Sequence, residues 1–415
     1  MRLRHSSRRK LTLASLAILI VIVLIEGLSY AALAVSSRIL ADPPRPTRKI
    51  LAEQTTRIRS LLTPNALRRE VLDTALGWRY RSSFVREGDR INAQGVRSLH
   101  EYTAAPAPGI TRVAAFGDSF VYGNEVDTKD AWSTRLEEIA PSVELMNYGV
   151  GGYGVDQSYL RFLEEGDRYK PSVAIMGFVS DDLRRLVNVY RRFVSLYEPP
   201  LAKPRFVFDA NDSLRLLPTP LRDTADYLRL EAEPRRLIDL GAHDQWYPAT
   251  VYRNPLYDIS ATVRLGVTAW RLAYNRYLDH DRLMDGGQFN TRSTAFRLQV
   301  ALFERFASDA RARGIRPVVL VFPDREALAA IQAGKAPAFA PMLAELKRRH
   351  IDYVDLSSAF SVSGTPRPTL EQWFMPGGHL SPSANLVVAR AAAEALRERG
   401  LVHSDLAGVA LQPKS

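Results

Sequence analysis

Gly117-Asp118-Ser119 follows the apolar run Arg112–Phe116, and Gly377-Gly378-His379 lies in a glycine-rich loop before the last apolar segment. A small, turn-forming triplet at the end of a strand exposes a serine hydroxyl. The free N–H groups of a helix starting there favour developing negative charge. The same residues also suit plain helix capping by Asp118 or Ser119. A nucleophilic serine needs a base. Of the seven histidines, His5, His100, His243, His280, His350 and His403 lie in the basic tail, in helices, near the chain end or among charged residues. His379 is the candidate base, because its loop follows the last expected strand and so shares a sheet edge with Ser119. Cysteine is absent, which removes thiol nucleophiles and Cys-based zinc sites.

The elements that would position this pair alternate. Apolar strand candidates are residues 112–116, 143–147, 172–178, 317–322 and 352–356; helical candidates are 157–165, 293–313, 338–349 and 383–400. Such alternation predicts an α/β fold with a parallel sheet between two helical layers. Ligands bind such sheets at the carboxyl ends of the strands. Residues 184–291 break the rhythm and read as a long insertion, since structureless loops of that length are uncommon. Its Tyr190, Arg191, Arg192, Trp246 and Tyr247 suggest either a sugar-binding wall or ordinary packing.

The chain resembles the SGNH hydrolases, also called GDSL-like lipases and esterases, across roughly residues 76–400. The first block is Gly117-Asp118-Ser119, the second Asn147-Tyr148-Gly149-Val150-Gly151-Gly152-Tyr153-Gly154, and the last Gly378-His379-Leu380-Ser381-Pro382. Leu76-Gly77-Trp78-Arg79 and Ile91–Arg97 resemble the lead-in of membrane-anchored bacterial members. The resemblance implies a three-layer, flavodoxin-like fold and an acyl-serine mechanism, with Ser119 as nucleophile, His379 as base and Gly152 as an oxyanion donor. Two positions depart from the pattern. The third block reads Gly177-Phe178-Val179-Ser180-Asp181, so Asp181 stands where an asparagine usually donates to the oxyanion, leaving Ser180 or a protonated Asp181 for that role. Gly377 and Pro376 occupy the positions where the histidine's acid usually sits, and Glu371 is the nearest acidic residue on that side.

The resemblance implies an esterase (deacetylase) or O-acyltransferase acting on a small ester or an acylated cell-surface glycan or exopolysaccharide, without metal or cofactor. The alternative is a catalytically degenerate member that binds polysaccharide or envelope biosynthesis partners. The basic tail of residues 1–10 precedes an apolar stretch, residues 11–35, long enough to span a bilayer. Such a tail stays cytoplasmic, which predicts a single-pass bacterial inner-membrane protein with a periplasmic main domain. Ala32-Leu33-Ala34 also suits signal cleavage and secretion. Residues 36–110 read as linker and lead-in, with a charged helix over 48–72, residues 111–400 as the main domain and 401–415 as a tail. The net charge of +11 includes five positive residues from the N-terminal tail, and no motif supports nucleic-acid binding.

Overall fold

The computed structural model describes the backbone of residues 2–39, 44–65, 67–195, 198–360 and 369–402, with side chains from residue 10 onward. In chain order the elements used below are α1 (Arg2–Ile39), α2 (Thr47–Leu62), β1 (Thr111–Phe116), α3 (Ser119–Tyr122), α4 (Trp132–Ile139) and β2 (Val143–Asn147). They continue with α5 (Val155–Glu165), β3 (Val173–Phe178), α6 (Asp182–Leu186), α7 (Pro255–Ile259), α8 (Ala261–Ala273), α9 (Thr294–Ala312), β4 (Arg316–Val321), β5 (Tyr353–Asp355) and α10 (Pro382–Glu398). The five expected strands are present to within a residue or two at their ends. His403 and most of the expected tail lie outside the described residues, as do Asp42 and Pro43 of the linker.

The chain divides into two compact units. One comprises residues 1–63, 192–200 and 225–280; the other comprises residues 64–191, 201–224 and 281–415. The expected insertion, residues 184–291, is divided between the two units. Its hairpin Arg205–Phe208/Leu214–Leu217 stays with the sheet, whereas α7 and α8 join α1 and α2.

In the larger unit all five strands are parallel, in the order β5-β4-β3-β1-β2. Counted from the other edge this is 2-1-3-4-5, the flavodoxin-like order, whose switch point falls between β1 and β3. Every residue of β3 is buried, as a strand covered on both faces requires. On one face Val113, Ala115, Val173, Ile175, Val318 and Leu320 pack with Trp132 and Leu136 of α4 and Val388 and Ala392 of α10. On the other, Phe116 stacks on Tyr148 at 4.7 Å and meets Phe162 of α5 edge-on at 5.6 Å; Phe162 in turn meets Phe306 of α9 at 5.0 Å. The three expected layers are thus formed.

The expected helix over 48–72 is shorter. It ends at Leu62, because Pro64 forces Thr63 into extended backbone (ψ 124°). Beyond it, residues 70–91 form two antiparallel hairpins, Glu70–Asp73/Gly77–Tyr80 and Phe84–Arg86/Asp89–Ile91.

In the smaller unit α1 carries the segment Lys10–Ile39, which is long and apolar enough to cross a membrane. From Lys10 to Ile39 its side chains are exposed except at Glu26, Ser29, Leu33 and Ser36, one face at helical spacing.

Candidate active site

Ser119 opens α3 immediately beyond β1, and its residue is buried to 4% exposure. Asp118 caps the helix: one carboxylate oxygen accepts from the Phe120 N–H at 2.8 Å, and the other accepts from Arg185 at 2.7 Å. Arg185 also donates to Asp182 at 3.0 Å, and Asp182 accepts from the Val179 N–H at 3.0 Å. One buried guanidinium therefore ties the turns after β1 and β3 together. Burial pushes the Asp182 carboxyl well above its usual range, and the neighbouring Asp118 charge adds to the effect. Burial opposes the Arg185 charge, but attraction to Asp118, Asp182 and Asp181 outweighs it and holds the guanidinium firmly protonated.

His379 meets an acid that the sequence did not single out. Its Nδ1 lies 2.6 Å from Glu125 Oε2. Glu125 also accepts from the backbone N–H groups of Gly377 (2.8 Å) and His379 (3.1 Å). Burial works to raise the Glu125 carboxyl, but these hydrogen bonds and the facing imidazole outweigh it and hold the pKa below its usual value. An Nδ1–H shared with Glu125 leaves Nε2 as the basic nitrogen, the arrangement a general base needs. Glu371, the acid expected from sequence position, is instead exposed and pairs with Arg325 at 3.2 Å.

Glu125 occupies this position through the loop that leaves α3. Gly123 caps the helix in the left-handed region (φ 80°), and Glu125 itself adopts φ 68°. Such a conformation in a non-glycine residue costs energy and needs enforcement from its surroundings. Buried Arg97 supplies it by donating to the carbonyls of Tyr122 (2.8 Å), Gly123 and Val126. Asn147 also donates to the Val121 carbonyl, at 2.8 Å.

Gly152 lies in the loop after β2 with φ 77°, a conformation that favours glycine. The lead-in hairpin braces this loop. Trp78 Nε1 donates to the Gly151 carbonyl at 3.2 Å, the Gly151 N–H donates to the Tyr80 hydroxyl at 2.7 Å, and the Tyr153 hydroxyl donates to the Trp78 carbonyl. Burial pushes the Tyr80 phenol up to about 12, so it remains neutral. The lead-in hairpin thus supports the loop after β2.

The third-block positions diverge. Asp181 is half-exposed and pairs with Arg184 at 2.8 Å and Arg185 at 3.4 Å, so its carboxylate is engaged by guanidinium groups. Ser180 Oγ is buried without a well-formed hydrogen bond, beside Asp324, whose carboxyl burial pushes upward. Ser119 Oγ makes no hydrogen bond to His379 among the described residues, although His379 lies 5.4 Å, ring to ring, from the adjacent Phe120. Such contacts commonly tighten only once substrate is bound.

Of the two readings of the insertion's aromatic and arginine residues, packing is what the burial of Tyr190, Arg191 and Arg192 supports. Tyr190, Arg191 and Arg192 are buried to 2% exposure or less, and Tyr247 stacks on Tyr252 at 5.4 Å. Among the described residues no group of three His, Asp or Glu side chains is placed to hold a metal.

The parallel sheet thus carries at its strand ends a helix-opening serine, a histidine–carboxylate pair and a glycine loop, groups of the kind that serine-dependent ester cleavage would need. Three solved structures are similar to the chain in fold. A lipase/acylhydrolase from Enterococcus faecalis shares 9% identity over 70% of this chain and 97% of its own, with a TM-score of 0.33. A GDSL-like lipase from Bacteroides thetaiotaomicron shares 12% over 71% and 91% (TM-score 0.32). An alpha/beta hydrolase enzyme from the metagenome of Lake Arreo shares 12% over 71% and 97% (TM-score 0.36). No protein-family model and no curated protein matches the chain. Scores this low add no weight to the site, which stands on its own geometry.

Proposed function

We propose that this protein is a membrane-anchored serine esterase or O-acyltransferase that cleaves acyl esters of an envelope glycan. The observation that carries the reading is the Glu125–His379 pair beside the serine turn, because it supplies the acid that Pro376 and Gly377 do not. In the proposed reaction Ser119 Oγ attacks the ester carbonyl and its proton passes to His379 Nε2. Glu125 stabilises the imidazolium so formed. The N–H groups of Ser119 and Gly152 receive the oxyanion, with Ser180 as a third candidate donor. The C–O bond to the alcohol then breaks, and the alcohol leaves with the proton from His379. Water or a sugar hydroxyl next attacks the acyl-serine, giving hydrolysis or transfer.

Retention of α1 as an anchor is supported by its contacts. Glu26 and Ser29 hydrogen-bond α8 and the residue before it, partners that cleavage after Ala34 would remove. The basic residues before the span favour placing the main domain outside the cytoplasm. An acetylated periplasmic polysaccharide is the substrate class that fits this location.

The test is hydrolysis of a chromogenic acetyl ester by the full chain in detergent, alongside Ser119→Ala and His379→Ala. Turnover abolished by both changes is expected. Turnover equal in all three, together with no acyl transfer to glycan acceptors, overturns the reading. It would favour a glycan-binding protein, a role with which the engagement of Asp181 by Arg184 is consistent.

A further inference from the structure

From Ala269 to Leu278 every residue at the end of α8 and in the turn that follows is exposed. Trp270 (55%), Leu272 (69%), Tyr274 (44%), Tyr277 (73%) and Leu278 (48%) stand uncovered. Trp270, Tyr274 and Tyr277 follow helical spacing, and the first two rings lie 6.2 Å apart. Arg271 and Arg276 flank them. A helical end that is apolar, aromatic and bare on all sides is poorly suited to water, and monomeric soluble proteins rarely expose such a patch.

Its attachment indicates what covers it. α8 is fixed to α1 within the smaller unit. The Glu26 carboxylate of α1 accepts from Ser260 Oγ at 2.9 Å, from the Ala261 N–H and from the Thr262 N–H at 3.2 Å. Ser29 and Thr262 hydroxyls lie 3.0 Å apart, and the Arg264 guanidinium lies 5.6 Å from the Tyr30 ring. Residues 11–25 of α1 are exposed throughout. At about 1.5 Å per residue, Glu26 lies roughly 24 Å along the helix from Lys10. The hydrocarbon core is about 30 Å thick, so Glu26 falls just inside the boundary opposite Lys10. A carboxylate there needs partners, and the opening turn of α8 provides them. α8 therefore begins at the far edge of the span. Its aromatic and arginine residues have the composition of a helix lying in the headgroup region.

We propose that α8 and the turn to Leu278 form a second membrane element, embedded in the interface of the leaflet opposite Lys10 and contacting phospholipid that includes anionic headgroups. This rests on α1 crossing the bilayer and is independent of the ester chemistry. The chain has no cysteine, so single-site labelling is direct. Leu272→Cys and Tyr277→Cys, each carrying an environment-sensitive fluorophore, are placed in vesicles of zwitterionic and anionic phospholipid with a quencher on the lipid acyl chain. Ile18→Cys reports the span and Leu216→Cys, an exposed position of the larger unit, reports water. With the quencher near the headgroup end of the acyl chain, quenching at 272 and 277 weaker than at 18 but well above that at 216 is expected. Labels at 272 and 277 that stay unquenched while 18 is quenched overturn the proposal. That holds whether aqueous iodide reaches them or a second copy of the chain shields them. An unquenched label at 18 removes the anchor itself and the proposal with it.

Discussion

The Glu125 carboxylate fills the space in which a side chain at Gly377 would sit. A Cβ built on Gly377 falls 2.5 Å from Glu125 Oε1 and 2.6 Å from Oε2. The same carboxylate lies 2.6 Å from His379 Nδ1. The acid that orients the histidine therefore comes from 254 positions away in the chain, and the glycine beside the histidine is the room it requires.

Glu125→Gln should leave the loop in place but remove the negative charge and allow the imidazole the wrong tautomer. Loss of a triad acid costs up to about four orders of magnitude in kcat. The expected outcome is a kcat lower by about 10³–10⁴ with KM little changed, measured on the same acetyl ester. A KM rise without loss of kcat would assign Glu125 to substrate binding instead.

Moving the acid should partly undo that loss. Gly377→Asp alone places its Cβ against Glu125 and should impair the protein. In a Glu125→Gly background the space is open, and an aspartate at 377 stands two residues before the histidine. The double variant is expected to turn over at least about tenfold faster than Glu125→Gly, roughly 1.4 kcal/mol of barrier. Equal rates would mean that the imidazole is oriented by other groups.

The pair should also be visible in stability. The folded Glu125 carboxyl titrates below its ordinary value of 4.5. Its contribution is therefore present above that value and lost as pH falls through the folded pKa. Denaturant midpoints of wild type and Glu125→Gln should differ near pH 6 and converge as the pH falls through the lowered Glu125 pKa. A gap that persists in acid would point to lost packing rather than lost charge.

Asp156 and Lys203 form a contact with both side chains fully buried. Burial pushes the Asp156 carboxyl up and the Lys203 amine down, and each is drawn back by the other's charge. Lys203 also donates to the Pro204 carbonyl at 3.1 Å. Removing one partner strands a buried charge, so Asp156→Ala should cost about 3–5 kcal/mol. The pair Asp156→Leu with Lys203→Met should recover most of that loss. Equilibrium unfolding of the three proteins makes the comparison.

How much of this was legible follows from sequence distance. The strands declared themselves as short apolar runs, and Ser119 and His379 as small-residue motifs at their ends, all local signals. Glu125 did not. Its left-handed backbone and its reach to His379 depend on Arg97 gripping the Tyr122, Gly123 and Val126 carbonyls, a contact between segments with no shared pattern. The available signal was negative: a glycine at 377, where an acid was expected, implied that something else occupied its place. The roles of Trp78 and Tyr80 were hidden for the same reason, since their hydrogen bonds run to Gly151, 73 and 71 residues onward. Hydropathy likewise cannot report which unit each part of residues 184–291 packs into.

Arg185 holds Asp118 and Asp182 with all three side chains at 7% exposure or less. Arg185→Met leaves two buried carboxylates facing each other, and only protonation can relieve them. A carboxyl whose folded pKa is raised stabilises the fold at low pH and loses that contribution as pH rises through the folded pKa. The variant should therefore be more stable at about pH 5 than at pH 8, opposite to the trend Glu125 imposes. The raised Asp182 carboxyl gives wild type a weaker slope of the same sign. Asp182→Asn should flatten that slope at little cost, because an amide oxygen can still accept from the Val179 N–H. Denaturant midpoints between pH 5 and 8 decide it: an Arg185→Met protein whose stability rises with pH would show that Asp118 and Asp182 keep their charges through solvent, and that the guanidinium is not what holds the serine turn.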